Sequence, residues 1–130
     1  MSDIVRRSSA DKKWQETKNI VKKRDNNACR LVKVLSALEY MMLRKNAGFN
    51  LQRLDPAHII SVGEHPEYCY ETWDICLLNH YSHSLLDSCK DPISAKPITK
   101  KEVEKWWIRI LQGNKEQYKE FTDNIKYFGE

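Results

Sequence analysis

The chain has no long apolar segment. Among its 130 residues, no run approaches the roughly 20 consecutive apolar residues that a membrane-spanning helix needs, and the mean hydropathy is −0.69. The first residues, Met1 to Arg7, also lack the apolar core of a signal peptide. We therefore expect a protein that stays in the cytosol and has no membrane partner.

Paired cysteines are missing as well. Cys29, Cys69, Cys76 and Cys89 form no C-x-x-C pair, which excludes a zinc ribbon and a thioredoxin-like motif. In the cytosol the four thiols are expected to stay reduced. We interpret them as buried or incidental side chains, and no structural zinc is expected.

The composition is that of a folded domain. Hydrophobic residues make up 41% of the chain, which has four Trp, six Tyr and three Phe, and this excludes a disordered polar chain. A length of 130 residues fits one domain whose core needs no disulfide or metal. The net charge of +4 is compatible with a polyanionic partner but is too small to identify one.

Helical periodicity dominates the N-terminal segment, residues 10–46. The first helix is predicted over residues 10–24, where one face carries Trp14, Thr17, Ile20 and Val21. A second helix is favoured from Ala28 to Asn46, where helical spacing relates Leu31, Leu35, Leu38 and Met42. The alternation from Arg30 to Val34 leaves a strand as the alternative there.

Two short strands and a short helix are predicted next. The order is strand, polar loop, strand and helix, over residues 54–62, 63–72, 74–78 and 80–89. The first strand is entered through Pro56. The helix presents Leu85 and Leu86 as its buried side and is stopped by Asp91-Pro92.

The C-terminal segment, residues 99–128, is predicted to be helical. Thr99 and Glu102 have the spacing of a capping box, and the helix that they open closes at Gly113. Its inward positions are Val103, Trp106, Trp107 and Ile110, a spacing that favours core packing of the two Trp over stacking on bases. A similar device at residues 114–117 opens a last helix with Tyr118, Phe121, Ile125 and Phe128.

Histidines and carboxylates that core packing does not require are concentrated in residues 55–87. They are Asp55, His58, Asp74, His80, His83 and Asp87. Hydrolysis of a phosphodiester needs a base, charge neutralisation and a proton for the leaving oxygen. His58, held in a predicted strand, suits the base, while His83 and Asp87, four residues apart on one helix face, suit one cation. His80 shares that face and suits a phosphate contact.

Each of these residues alone is more often structural or solvated, and only the combination indicates a site. The segment resembles the HNH endonuclease motif, or ββα-metal fold, in its compact bacteriophage and bacterial versions. The resemblance is carried by Ala57-His58-Ile59, Pro66, Asp74, His83 and Asp87. It covers about a quarter of the chain, and it implies the α+β class, with a ββα-metal motif in a mostly helical single domain over residues 1–130.

The resemblance also implies roles for single residues. His58 would activate the water, Asp74 would orient His58, and the metal would be bound by His83. Asp74 replaces the family's asparagine, but a carboxylate can still accept a hydrogen bond from the non-catalytic nitrogen of His58. Ala57 replaces an acidic ligand of many members, so the candidate metal ligands here are His83, Asp87 and Asp55.

Many relatives brace this site with a zinc knuckle made of two C-x-x-C pairs. In this chain Asn79 and Ser82 stand where the second pair would be, and the position three after Cys29 is Val32. We therefore expect a hydrophobic brace. The candidates are Leu31, Leu35, Leu38 and the C-terminal aromatic residues.

The function that the resemblance implies is a divalent-metal-dependent DNA endonuclease or nickase. One Mg²⁺ or Mn²⁺ ion is expected, with Zn²⁺ also acceptable, and a phage origin would place the protein in the bacterial cytoplasm. Candidate cations for DNA contact are Lys100, Lys101, Lys105, Lys12, Lys13, Lys22, Lys23 and Arg24. The alternative, favoured by Ala57, Asp74 and the missing cysteines, is a catalytically decayed module that binds nucleic acid or protein.

Overall fold

The described part of the chain folds into five α-helices around one two-stranded sheet. The computed structural model describes residues 2–129, with side chains from Asp11 onward. The helices are α1 (Ser2–Arg24), α2 (Ala37–Ala47), α3 (His80–Asp87), α4 (Lys100–Leu111) and α5 (Lys115–Asn124), and the strands are β1 (Leu54–His58) and β2 (Ile75–Asn79). The predicted α+β class and the order strand, strand, helix are confirmed.

The two strands run antiparallel, with Leu54 opposite Asn79 and His58 opposite Ile75. β1 is shorter than predicted and ends at His58. Pro56 lies within it, opposite Leu77, although a proline has no N–H to donate. It is tolerated because the N–H and C=O of Leu77 point away from β1 and bond to Asp25 and Arg30, in the segment after α1.

β2 is the most buried element of the fold, and its two faces pack against different partners. One face contacts α1 in a small cluster of Ile75, Leu77, Val21 and Trp14. The other face joins the main core, which includes Cys76, Leu78, Trp107, Ile110 and Phe121. A strand covered on both sides carries a continuous apolar run, as this one does.

Side chains form hydrogen bonds with the main-chain groups of β2 that do not pair with β1. Asp25 and Arg30 are 1% and 2% exposed and form an ion pair of 3.0 Å. The other oxygen of the Asp25 carboxylate accepts a main-chain N–H of β2 at 3.0 Å. The carbonyl of Ile75 accepts hydrogen bonds from Arg24 and Gln117. Because unpaired main-chain groups are costly in the interior, this network fixes β2 and the residues that follow it.

The prediction of one helix from residue 28 to residue 46 is wrong. The chain forms a 3₁₀ turn at Val32–Val34, and α2 begins only after Ser36. The Ser36 side chain accepts the Glu39 N–H at 3.2 Å, and the Glu39 carboxylate accepts the Ser36 N–H at 2.8 Å. This capping box fixes the start of the helix.

Burial in the N-terminal half differs from the prediction at three positions. Ile20, Leu38 and Met42 were predicted to face the core, but they are 56%, 69% and 46% exposed. In α2 the buried positions are Leu43 and Ala47 instead, because the helix starts later and presents another face to the core.

The C-terminal half follows the prediction except at its end, because α5 stops at Asn124 and leaves Ile125 and Phe128, predicted to lie in this helix, beyond it. Thr99 and Glu102 form the predicted capping box, and the buried positions of α4 include Val103, Trp107 and Ile110. Trp106 is only half-buried. None of the helices described here is both long and apolar enough to cross a bilayer.

Candidate active site

His58 ends β1, and one edge of its ring is fixed by the main chain. The ring Nε2–H donates to the carbonyl oxygen of Cys69, in the loop between the strands, at 2.9 Å. In a neutral ring this hydrogen bond keeps the proton on Nε2 and leaves Nδ1 unprotonated. Nδ1 is therefore the atom that can accept a proton from a water molecule.

One face of the same ring is covered by α1. The indole of Trp14 stacks on the His58 imidazole, with 5.5 Å between ring centroids and 18° between the planes. Trp14 also packs against the small cluster that joins α1 to β2. The carbonyl of Cys69 and the indole of Trp14 together restrict how the ring can turn.

Asp74 lies just before β2 and is fully buried. Its Oδ1 accepts the Ile60 N–H and its main-chain carbonyl accepts the Ile59 N–H, both at 2.8 Å, while Oδ2 has no partner among the described residues. The expected hydrogen bond to the His58 ring is therefore replaced by two bonds to the main chain after His58. Burial raises the pKa of Asp74 to about 8, against the hydrogen bond from Ile60.

Asp55 joins two histidines of α3 to β1. Its Oδ2 accepts hydrogen bonds from His80 Nδ1 at 2.7 Å and from His83 Nδ1 at 3.0 Å. The other ring nitrogen of His83 lies 3.1 Å from an oxygen of Asp87. The predicted metal ligands are thus neighbours, and His80, predicted to contact phosphate, is bonded to Asp55.

Hydrogen bonds between the histidines and carboxylates of this group stabilise the charged form of each partner. The hydrogen bond to Asp87, followed by the one to Asp55, raises the pKa of His83 in spite of partial burial. Burial alone would raise the pKa of Asp55, but the hydrogen bonds from His83 and His80 hold it below its ordinary value. Among the described side chains, no three His, Cys, Asp or Glu residues converge as the ligands of one metal ion would.

A shallow cavity brings the candidate base together with two of the three candidate ligands, and Asp55 is not part of its lining. Its volume is about 290 Å³, and its lining includes His58, His83 and Asp87. His58 reaches it from the end of β1, and the other two reach it from successive turns of α3. We call this cavity the His58 cavity.

Hydrogen bonds replace part of the expected hydrophobic brace. Asn79 and Ser82 are both fully buried and bond to each other, and the Asn79 main-chain N–H lies 3.2 Å from the Cys29 sulfur. Leu31 packs nearby in the core as expected, but Leu38 does not contribute because it is exposed.

Some of the candidate cations for DNA contact are exposed, and others already have partners within the fold. Lys101 and Lys105 are exposed, whereas the Lys100 ammonium lies 3.7 Å from the Glu64 carboxylate. Arg24 bonds to Asp25 and to main-chain carbonyls inside the fold. Arg24 therefore supports β2, and the exposed lysines remain the candidates for contact with a polyanion.

Two features of the site were missed from the sequence. The carbonyl of Cys69 belongs to the main chain, so no residue type signals it, and Trp14 looked like an ordinary core residue of α1. Comparison with protein-family models, curated proteins and solved structures found no match for this chain.

Proposed function

We propose that the chain is a divalent-metal-dependent DNA endonuclease or nickase. The observation that carries the proposal is the His58 cavity, whose lining is shared by the His58 imidazole, His83 and Asp87, while the Cys69 carbonyl leaves His58 Nδ1 as the unprotonated ring nitrogen. The order strand, strand, helix presents these side chains from two elements that are adjacent in the fold. A base and a carboxylate-imidazole pair across one cavity suit hydrolysis of a phosphodiester.

His58 acts as the general base of the reaction. Its Nδ1 removes a proton from the attacking water, while the Cys69 carbonyl stabilises the ring by accepting its Nε2–H. Asp74 is a positioning residue, because it holds the main chain at Ile59 and Ile60 directly after the base. The indole of Trp14 limits rotation of the ring from its covered side.

The residue types beside His58 are ones that bind divalent cations, although in this structure no three of the described side chains converge on one point. Carboxylate oxygens and an imidazole nitrogen suit Mn²⁺ and Zn²⁺, and a site with few protein ligands also suits Mg²⁺. Asp55, His83 and Asp87 would hold it, and His83 would give up one of its two carboxylate contacts to do so. When bound, such an ion supplies neutralisation of charge on the phosphate.

The contacts of the brace are compatible with the family resemblance. The resemblance equates the region of Cys29 and the positions of Asn79 and Ser82 with two halves of one zinc knuckle, so these residues should meet in space. Cys29 contacts Asn79, which contacts Ser82, across 50 residues of sequence. A chance match of the short motif would not require that contact.

DNA is the proposed substrate because exposed cations flank the site. Trp14, which covers His58, lies on α1 with the exposed Lys12 and Lys13 nearby in the helix. On the other side, α4 begins with Lys100 and Lys101. Lysines of this kind bind the phosphate backbone without reading its sequence.

A plasmid assay tests the proposal directly. Supercoiled plasmid is incubated with the protein and Mg²⁺, Mn²⁺, Zn²⁺ or EDTA, and the open-circular and linear products are separated on a gel. We expect supercoiled plasmid to be converted to open-circular or linear DNA with at least one of the metals, and not in EDTA. Conversion that is equal in EDTA, or absent with every metal, would contradict the proposal.

One observation favours the second candidate function, a decayed module that binds nucleic acid or protein. Both ring nitrogens of His83 are bonded to carboxylates, so the predicted ligands are arranged as an ion-pair chain rather than around a centre. A protein that binds DNA in gel-shift assays but cleaves none with any of the metals would identify this function.

Asp55→Asn tests whether Asp55 is a ligand of the proposed cation. The amide loses the negative charge and can accept a hydrogen bond but cannot bind a cation as a carboxylate does. We expect the affinity for Mn²⁺, measured by isothermal titration calorimetry, to fall at least 10- to 100-fold, roughly the loss seen when supporting groups of metal sites are removed. Asp123→Asn, an exposed carboxylate on α5, is the matched control and should bind as the wild type does. Equal affinity in Asp55→Asn would exclude Asp55 as a ligand.

A further inference from the structure

A second cavity opens beside the His58 cavity. Its volume is about 390 Å³, and His58 and Asp87 line both cavities. Its floor is apolar and is formed by core residues that include Ile59, Leu86, Val103 and Trp107. An apolar floor with a few polar groups at the rim is typical of a pocket for a small, flat ligand group.

The charges at the rim restrict what can enter. Three carboxylates, those of Glu64, Asp87 and Glu104, line this cavity beside one ammonium group, that of Lys100. Lys100 is already close to Glu64, at 3.7 Å. Such a rim repels a phosphate group, and its carboxylates accept hydrogen bonds from amino groups. A neutral aromatic ring with amino groups on its edge fits both the floor and the rim.

We infer that this cavity, the base pocket, binds one unstacked nucleobase next to the phosphodiester that is cleaved. The inference rests on the proposed function and adds the class of substrate. A base is tied to its phosphate through one sugar, so a base in the pocket puts that phosphate at the mouth, beside His58. Continuity of the two cavities through His58 and Asp87 is therefore what the substrate requires.

The class of DNA follows from the cost of unstacking. Taking a base out of a perfect duplex costs a few kcal/mol, and the cost is least where the base is already unpaired. The protein therefore prefers DNA with an unpaired nucleotide at the cleaved position, as in a bulge, a branch point or a single strand.

A pair of duplexes isolates the base. One carries a single bulged adenosine, and the other carries a bulged abasic site, so the two share flexibility and charge and differ only in the base. Dissociation constants are measured with the wild-type protein by fluorescence anisotropy in EDTA, where no strand is cut. We expect the bulged adenosine to bind about tenfold more tightly, the effect of burying one base against an apolar and aromatic floor.

Two Trp variants, one in α4 and one directly after it, locate the effect. Glu104→Trp places an indole at the rim of the base pocket, whereas Gln112→Trp places it at the exposed residue that follows the helix. We expect the ratio of the two dissociation constants to fall to about one in Glu104→Trp and to stay unchanged in Gln112→Trp. Because the two duplexes carry the same charge, the general electrostatic effect of losing Glu104 cancels in the ratio, and what changes is the contact with the base.

The possible failures are distinguishable from one another. A ratio of one in the wild type, or a full ratio in Glu104→Trp, would overturn the base pocket, while plasmid nicking would still support the proposed function. Absence of binding to either duplex, together with absence of nicking, would overturn the proposed function and the pocket with it.

Discussion

Replacing His58 by Ala is expected to slow metal-dependent nicking by about 100- to 10,000-fold, the usual contribution of a general base. The ring lines the His58 cavity and keeps Nδ1 unprotonated, since the Cys69 carbonyl accepts its Nε2–H at 2.9 Å. Alanine removes that nitrogen and leaves Asp55, His83 and Asp87 in place. Single-turnover nicking rates of the two proteins on supercoiled plasmid measure the loss.

The matched control is His65→Ala. His65 is an exposed histidine in the loop between the two strands, and its ring pairs with Glu67 at 2.8 Å. It lies outside the lining of the His58 cavity. It should keep nearly full activity. Binding of Mn²⁺ should be unchanged in His58→Ala, which separates loss of the base from loss of the metal site. Nicking by His58→Ala at the wild-type rate would remove His58 from the mechanism.

Local spacing predicted the parts of the fold that depend on near neighbours in sequence. The capping box of Thr99 and Glu102, the helical face of α4 and the run of β2 all follow from contacts within a few residues. The start of α2 was missed although its signal is also local, because Ser36 and Glu39 have the spacing of a capping box. The apolar repeat across this region concealed the break.

The contacts that complete the site could not be predicted from local spacing. His58 is oriented by a main-chain carbonyl, which any residue at position 69 would provide, and by Trp14, which lies on a distant helix. The hydrogen-bond partner of Asp74 could not be read from the spacing either. In the folded chain its carboxylate accepts the Ile60 N–H instead of a hydrogen bond from the imidazole. Residue types therefore indicated the chemistry, while the tertiary fold decided the partners.

Asp74 should make the stability of the protein fall as the pH rises. Its carboxyl group is fully buried, and burial raises its pKa from the ordinary 3.8 to about 8. The folded state therefore keeps a proton that the unfolded chain releases above pH 4, and stability is lost progressively up to about pH 8. With about 1.4 kcal/mol for each pH unit as the upper limit, we expect a loss of about 2–4 kcal/mol between pH 5 and pH 8.

Urea unfolding of the wild type and Asp74→Asn at pH 5 and pH 8 isolates this contribution. The amide keeps an oxygen for the Ile60 N–H but does not titrate, so the variant should lose much less stability across this interval. His83 titrates in both proteins, and its effect cancels in the comparison. An identical loss in both proteins would show that Asp74 is ionised in the folded state.

Since the protonated acid and the amide have nearly the same shape, Asp74→Asn should also nick plasmid, whereas Asp74→Ala should not, because the main chain after His58 loses its acceptor.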